Sequence, residues 1–270
     1  MKRKIAFIDM DGTLYQTEND VIQESSIHAI QALKKAGYLV CAATGRPLNQ
    51  MKLILEKVQF DYYILINGGY ILDSEFNLIQ SYPLSKKDTE GLIALAQENE
   101  FGLMFHFGDA TYIYNNFYPM YDFCKYCNVL DSLFYDPTMT YHKRHDAYNC
   151  VIMLKKDKPL KEYMEAHPEL RSDMIKIQTD GFCFDIFNKD NDKSKGIEMI
   201  LEKENLTWED TICFGDSTND IGMLEKAGIG VAMGSATDYV KSYATFSTTD
   251  VYNDGIYNAV KKILLEEKQD

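Results

Sequence analysis

Short apolar runs without polar alternation constrain the fold of this chain more than any other feature. Runs such as Ile5–Ile8, Tyr38–Ala43 and Tyr62–Ile66 are separated by segments in which apolar residues recur at helical spacing. Strands that are apolar on both faces and alternate with helices are typical of a parallel sheet covered by helices. The first part of the chain therefore predicts a doubly wound α/β layer.

The same alternation returns near the C-terminus, where Thr211–Phe214 and Ile229–Ala232 predict further strands. Between these two parts, aromatic-rich and partly alternating segments suit an antiparallel sheet. Pro83 and the polar stretch 188–194 are the predicted hinges. We therefore expect a discontinuous Rossmann-like α/β core with an α+β domain inserted into it. The predicted core comprises residues 1–83 and 190–270, and the predicted insert comprises residues 84–189.

The charge of the chain limits its partners. The 270 residues include 28 Lys plus Arg and 41 Asp plus Glu, which gives a formal net charge of −13 at pH 7. Nucleic-acid binding would need a basic face, so this balance argues against it. No apolar run approaches the roughly 20 residues of a membrane-spanning helix, and six scattered cysteines do not form a dense disulfide framework. We expect a cytoplasmic protein that is a monomer or a weak homo-oligomer.

Polar residues capable of chemistry follow several predicted strands. Because the carboxyl ends of parallel strands meet at one edge of a sheet, we expect these side chains to converge there. In chain order they are Asp9 and Asp11 after the first strand, Thr44, Gly45 and Arg46 after the second, Lys195 at the mouth of a helix, Asp216 after a C-terminal strand, and Asn219 and Asp220 at the start of the next helix.

Converging carboxylates need a compensating charge. If Asp9, Asp11 and Asp216 meet, each ionised pair about 4 Å apart costs roughly 4 kcal/mol at an effective dielectric constant near 20. Protons or a hard cation must relieve that repulsion. Oxygen-only ligands favour Mg²⁺, which commonly bridges one or two carboxylates to a phosphate. With a hydroxyl donor and a lysine nearby, the pattern predicts a site for a transferable phosphoryl group.

Four of these segments resemble, in order and spacing, the four motifs of the haloacid dehalogenase-like superfamily. They are Asp9-Met10-Asp11-Gly12-Thr13, Thr44-Gly45-Arg46, Lys195-Gly196 and Gly215-Asp216-Ser217-Thr218-Asn219-Asp220. The long insertion between the second and third motifs is similar to a C2 cap. Together with the segment Ala227–Gly234, the pattern most resembles the Cof-type subfamily of sugar-phosphate phosphatases.

The resemblance implies a Mg²⁺-dependent phosphatase for small phosphorylated metabolites, with a cap that closes over the site and selects the leaving group. Asp9 would be the nucleophile that forms an aspartyl-phosphate, and Asp11 would be the general acid and base. The remaining implied roles are phosphate binding by Thr44, Gly45, Lys195 and Asn219, metal binding by the Asp9 carboxylate, the Asp11 carbonyl and Asp216, and support by Asp220 and Arg46.

Some of these assignments compete with simpler interpretations. Asp9 and Asp11 alone would fit a turn after a strand, and only the later motifs favour catalysis. Lys193 competes with Lys195 as the phosphate-binding lysine, and we favour Lys195 because it directly precedes Gly196, as in the family pattern. Arg46 fits a surface salt bridge as well as it fits a contact to substrate or cap.

Two other functions are compatible with parts of the pattern. A phosphomutase or phosphotransferase of the same superfamily would return the phosphoryl group to a second hydroxyl. A phospho-accepting signalling module would share the acidic Mg²⁺ pocket, the threonine and the lysine. The signalling interpretation fits poorly, because such modules lack a long insertion and because Lys195 precedes Asp216 here.

One motif suggests a different metal. Cys124-x-x-Cys127 and His142-x-x-His145 come close to a zinc-finger spacing, but the histidine pair is one residue short of the usual pattern. A domain supported by its own sheet needs no structural zinc. We therefore expect reduced core cysteines and surface histidines.

Overall fold

The computed structural model describes residues 4–108, 110–175 and 181–266, which form two compact units. We call them the core unit (the described part of residues 1–45, 52–79 and 192–270) and the cap unit (the described part of residues 46–51 and 80–191). The boundaries lie at 79/80 and 191/192, near the predicted 83/84 and 189/190. Residues 46–51, predicted to be core, belong to the cap unit instead. Within that unit, the Asn49 amide donates to the Thr111 hydroxyl at 3.1 Å and to the Ser132 carbonyl at 2.9 Å.

An eight-stranded sheet forms the centre of the core unit. Its strands, in spatial order, are β16 (Phe246–Ser247), β15 (Ile229–Ala232), β14 (Thr211–Gly215), β1 (Lys4–Ile8), β4 (Tyr38–Ala43), β5 (Tyr62–Leu65), β6 (Tyr70–Asp73) and β7 (Leu78–Ser81). The six strands from β16 to β5 are parallel, and β6 runs antiparallel to β5. Because β1 lies between β14 and β4, the carboxyl ends of these three strands are adjacent.

Six helices complete the described part of the core unit, together with a small hairpin of β2 (Tyr15–Gln16) and β3 (Val21–Ile22). The helices are α1 (Glu24–Lys35), α2 (Lys52–Leu55), α6 (Lys193–Glu204), α7 (Ile221–Lys226), α8 (Asp238–Lys241) and α9 (Gly255–Glu266). One buried cluster joins sheet and helices: Ile5, Ile64 and Cys213 from the strands pack with Ile197 and Leu224 from α6 and α7.

The cap unit contains a six-stranded sheet that is antiparallel apart from the β9–β10 pair. Its strands, in spatial order, are β10 (Leu133–Tyr135), β9 (Thr111–Asn115), β8 (Gly102–Phe107), β11 (Ala147–Leu154), β13 (Phe182–Asn188) and β12 (Leu170–Ile175). Leu103 and Phe105 pack with α3 (Lys86–Glu98) and α5 (Lys158–Ala166), whereas Met104, between them in sequence, packs with α4 (Phe117–Tyr126). The helices therefore cover both faces of this sheet.

This architecture confirms the predicted fold class, a parallel doubly wound α/β core with an inserted α+β domain. The antiparallel edge of the core sheet was not predicted, since β6 follows β5 through a tight turn that sequence patterning did not distinguish from a loop. Among the described residues, no helix combines the length and the apolar character needed to cross a membrane.

The cysteines of the zinc-finger-like spacing lie in different surroundings from His142. Cys124 packs beside Met104 on one face of the cap sheet, and burial raises the pKa of its thiol to about 12. His142 lies among the residues of the other face, between the Tyr114 hydroxyl at 3.2 Å and the Glu90 carboxylate at 2.8 Å. The expectation of a surface histidine is therefore wrong for His142, because its two ring nitrogens are paired inside the unit.

Candidate active site

Asp9 stands at the point where β1 ends. Its backbone N–H donates to the Phe214 carbonyl at 3.0 Å and so extends the β1–β14 ladder by one residue. The side chain is buried at the carboxyl edge of the sheet, next to the ends of β4 and β14. Continuous apolar residues bury the strand on both faces, so the first polar residue after it must satisfy its carboxylate locally.

Lys193 satisfies that carboxylate. Its Nζ lies 2.6 Å from Asp9 Oδ1 and 2.7 Å from Asp220 Oδ1, and the lysine side chain has no exposed surface. A buried ammonium group is tolerated only where it is paired in this way. Burial by itself would lower the pKa of Lys193, but the charges of Asp220 and Asp9 raise that pKa above its ordinary value.

The lysine beside Asp9 is Lys193, whereas we predicted Lys195 as the phosphate-binding lysine. Lys195 is exposed, on the side of α6 that also carries the exposed Glu198 and Glu202. Lys193 instead precedes Ile197 by four residues and Ile200 by seven, which places it on the buried face of the helix. The helical periodicity of the sequence thus indicates that Lys193 is buried. Lys195 was favoured instead because it directly precedes Gly196, as in the family pattern.

Asp220 anchors the loop that carries Asp216. Its Oδ1 accepts from Lys193, and its Oδ2 accepts from the backbone N–H groups of Asp216 and Ser217, each at 3.0 Å. These bonds engage both carboxylate oxygens of a side chain that is completely buried. Asp220 therefore positions Lys193 and Asp216, and its predicted supporting role toward a metal stays a prediction.

Two glycines permit the close approach of these acidic groups. A Cβ at Gly12 would lie 2.6 Å from Asp216 Oδ2, and Gly12 also has a φ of +79°. A Cβ at Gly215 would lie 2.5 Å from the Cβ of Asp220. Any larger residue at either position would push the carboxylates apart, so the glycines belong to the geometry of the site.

Three carboxylates form an oxygen-only cluster. Asp9, Asp216 and Asp220 each offer an oxygen, and these atoms lie within 4.8 Å of one another. Burial and the neighbouring Asp220 charge together raise the pKa of Asp216 to about 7, against the opposing effect of Lys193. The pKa of Asp9 is also well above its ordinary value because of burial and the Asp220 charge. One lysine does not neutralise the cluster, so these residues fit a hard cation bound through Asp9 and Asp216.

Asp11 lies beside this cluster in a tight turn. The N–H groups of Thr13, Leu14 and Tyr15 all donate to the Met10 carbonyl, at 2.8 to 3.2 Å. The Thr17 hydroxyl donates to Asp11 Oδ1 at 2.6 Å, and the carboxylate remains partly exposed. A partly exposed carboxyl group that accepts from a hydroxyl can exchange a proton with a bound molecule or with water.

The predicted phosphate-binding residues Thr44, Gly45 and Asn219 meet around a residue that sequence analysis missed. Asn67 donates its backbone N–H to the Thr44 carbonyl at 3.0 Å and accepts from Asn219 Nδ2 at 2.9 Å. In the sequence, residues 67–69 (Asn-Gly-Gly) indicate only a turn after the strand. The available signal was their position at the end of β5, at the same edge of the sheet as the other predicted site residues.

Arg46 is the first residue of the cap unit, where its Nη1 donates to the Gln50 carbonyl at 3.0 Å. This bond closes the turn of residues 46–51. A role of Arg46 toward substrate or metal stays a prediction.

Comparison with known proteins identifies the family to which the chain belongs. The profile of the haloacid dehalogenase-like hydrolases matches residues 6–260. The pyridoxal phosphate phosphatase YbhA of Escherichia coli K12 is 27% identical over 267 residues, which is 95% of this chain and 97% of YbhA. A solved structure of a hypothetical protein from Geobacillus kaustophilus HTA426 shares 30% identity with a TM-score of 0.86, covering 97% of this chain and 99% of that one. The subclass IIB sugar phosphatase BT4131 shares 26% identity with a TM-score of 0.81, covering 96% and 98%.

The chain therefore belongs to the haloacid dehalogenase-like hydrolases, and the resemblance derived from its four motifs is confirmed. Within that family it falls among the phosphoric monoester hydrolases, the class of its relatives with named activities.

Proposed function

We propose that this protein is a Mg²⁺-dependent phosphatase that hydrolyses small phosphorylated metabolites, such as sugar phosphates, through an aspartyl-phosphate on Asp9. The buried ion pair between Lys193 and Asp9, at 2.6 Å beside Asp216, is the observation that carries the proposal. It holds a nucleophilic carboxylate and a cationic phosphate ligand at the carboxyl edge of a parallel sheet, where α/β folds bind ligands.

The chain's own residues would hold the metal through the Asp9 carboxylate, Asp216 and the Asp11 carbonyl. When bound, Mg²⁺ neutralises negative charge on the phosphoryl oxygens. The donor set supports this assignment, since it contains only oxygen atoms and since both carboxylate oxygens of Asp220 are already engaged by Lys193 and two backbone N–H groups.

In the first half-reaction, a carboxylate oxygen of Asp9 attacks phosphorus and forms an acyl-phosphate bond. The bond between phosphorus and the leaving oxygen breaks, and the protonated Asp11 carboxyl group donates its proton to that oxygen. In the second half-reaction, water attacks phosphorus, Asp11 takes the proton from the water, and the bond to Asp9 breaks. Inorganic phosphate leaves, and both aspartates return to their starting states.

Lys193, Thr44, Gly45 and Asn219 would bind the phosphoryl oxygens. An ammonium group has three N–H donors, and Lys193 uses one each on Asp9 and Asp220. The third N–H would donate to a phosphoryl oxygen, so that the single cation of Lys193 links the nucleophile and the phosphate. Lys193 thus takes the role that we had predicted for Lys195.

The proposed substrate class follows from the relatives and from the charge of the chain. YbhA and BT4131 are named for pyridoxal phosphate and for sugar phosphates, which are both small phosphorylated compounds. The formal net charge of −13 fits small substrates held by local cations better than polyanionic polymers. A cytoplasmic location and a monomeric or weakly oligomeric state belong to the same proposal.

Asp11→Asn tests the proposal directly. With p-nitrophenyl phosphate, whose leaving group needs little protonation, phosphorylation of Asp9 persists in this variant. Hydrolysis then lacks its base, so we expect the aspartyl-phosphate to accumulate. Borohydride trapping and mass spectrometry should locate the label on Asp9. A label on another residue would contradict the assigned roles. If the wild-type protein isomerised a phosphoester without releasing phosphate, that result would indicate a mutase.

Magnesium binding should depend steeply on pH. The pKa of Asp216 is raised from 3.8 to about 7 in the metal-free protein. At a pH between these two values, the folded chain therefore keeps a proton on Asp216 that the unfolded chain has released. The metal-free protein therefore loses stability as pH rises from about 4 to 7, and Mg²⁺ must displace a proton below pH 7. We expect Mg²⁺ affinity to fall about tenfold per pH unit below 7.

Isothermal titration calorimetry between pH 5.5 and 8 measures this dependence, and Mg²⁺ should raise the melting temperature more at pH 8 than at pH 5.5. Asp216→Asn is the matched control, because it removes both the ligand charge and the titrating group. Equal Mg²⁺ affinities at the two pH values in the wild-type protein would refute the assignment of Asp216 as a ligand.

A further inference from the structure

The turn that follows β5 has an unusual backbone. Its residues Ile66, Asn67 and Gly68 have φ values of +51°, +52° and +93°. This region is unfavourable for a β-branched residue such as Ile66, while asparagine and glycine tolerate it. Three consecutive residues remain in it only where their surroundings hold them there.

Those surroundings are the segments that carry the proposed phosphate-binding groups. The Asn67 N–H donates to the Thr44 carbonyl, and a Cβ at Gly45 would lie 3.4 Å from the Asn67 side-chain amide. A Cβ at Gly68 would lie 2.3 Å from the Asp192 carbonyl oxygen. Asp192 caps α6 immediately before Lys193. The turn therefore packs against both the segment of Thr44 and Gly45 and the start of α6.

The side chain of Asn67 makes the most informative contact. Its Oδ1 accepts from Asn219 Nδ2 at 2.9 Å, while Asn219 Oδ1 is buried without a hydrogen-bond partner among the described residues. The amide of Asn219 is planar, so fixing one N–H on Asn67 also fixes the direction of the second N–H. Without Asn67, a half-turn of the amide would exchange its nitrogen and oxygen at no steric cost.

We propose that Asn67 is a positioning residue that orients the Asn219 amide so that its second N–H donates to the bound phosphoryl group. The proposal rests on the proposed phosphatase function. If the Asn219 amide were rotated, its carbonyl oxygen would face a negatively charged phosphoryl oxygen, and the two would repel each other. With its Oδ1 facing Asn219, Asn67 therefore selects the orientation of Asn219 that binds a phosphoryl oxygen, although Asn67 itself does not touch the substrate.

Asn67→Gly removes the side chain and keeps a residue that adopts a φ near +52° without strain. We expect kcat/KM for p-nitrophenyl phosphate to fall about 10- to 100-fold, the range for a hydrogen bond to a charged group. Asn205→Gly is the matched control, because Asn205 has a φ of +56° at the exposed end of α6. Its kcat/KM should stay within about twofold of wild type.

A double-mutant cycle with Asn219→Ala separates positioning from general loosening of the site. If Asn67 acts through Asn219, Asn67→Gly adds little further loss of kcat/KM in the Asn219→Ala background. Losses in kcat/KM that multiply independently would overturn the proposal.

Nuclear magnetic resonance of the side-chain amides tests the geometry without turnover. The Asn219 signals are identified as those that disappear in Asn219→Ala. In the wild-type protein, inorganic phosphate with Mg²⁺ should shift one of the two Asn219 N–H resonances far more than the other. In Asn67→Gly the protection of the bonded N–H from exchange should disappear. Equal phosphate shifts of both resonances would refute the proposal even in the wild-type protein. Absence of any phosphatase activity would instead refute the proposed function.

Discussion

Asp9→Asn should reduce phosphate release by a factor of at least about 10⁴, the scale of losing a catalytic nucleophile. The amide that replaces the carboxylate cannot accept a phosphoryl group under these conditions and is a poorer metal ligand. Its oxygen can still accept from Lys193, and the change relieves the repulsion with Asp220 and Asp216 that raises the pKa of Asp9. We therefore expect the variant to fold, with a melting temperature at or above that of the metal-free wild type.

Asp238→Asn makes the same chemical change at an exposed position at the start of α8 and should leave phosphate release unaltered. Phosphate release and thermal unfolding, measured on both variants with and without Mg²⁺, separate catalysis from stability. Turnover above one hundredth of the wild-type rate in Asp9→Asn, after exclusion of deamidation by mass spectrometry, would show that another residue is the nucleophile.

Lys193→Met should damage both stability and catalysis. Removing one partner of a buried ion pair costs about 3–5 kcal/mol, because Asp9 and Asp220 would lose the cation that compensates their charge. Loss of a cation that contacts nucleophile and phosphate should lower kcat by about 10² to 10³. Urea unfolding and phosphate release measure the two effects.

Lys195→Met is the matched control, since it makes the same change two residues later on the exposed side of α6. Its free energy of unfolding should change by no more than about 0.5 kcal/mol. In the double variant Lys193→Met with Asp220→Asn, we expect part of the stability to return while activity stays low. Equal losses of activity in Lys193→Met and Lys195→Met would contradict the assignment of Lys193.

The parallel core could be predicted because burial on both faces leaves a simple pattern. Strands such as Ile5–Ile8 have no polar position, and the chain can become polar again only where the strand leaves the interior. Asp9, Thr44 and Asp216 lie at such exits, so the sequence predicted that they would share one edge of the sheet. The structure brings these strand ends together because β1 lies between β4 and β14.

Assignments that depend on the direction of a side chain required the tertiary structure. Lys193 and Lys195 are chemically identical and two residues apart, but the turn of α6 buries one and exposes the other. His142 could be called buried only once Tyr114 and Glu90, distant in sequence, were known to meet its ring.

The sequence by itself therefore determined the layered fold, the edge of the sheet that carries the site and the acidic character of that site. These properties follow from local patterns of burial along each strand and helix. The tertiary structure alone decided which lysine pairs with Asp9, and it revealed that Asn67 holds Asn219. Both depend on contacts between residues more than a hundred positions apart, where small changes in helix rotation or backbone φ decide which atoms meet.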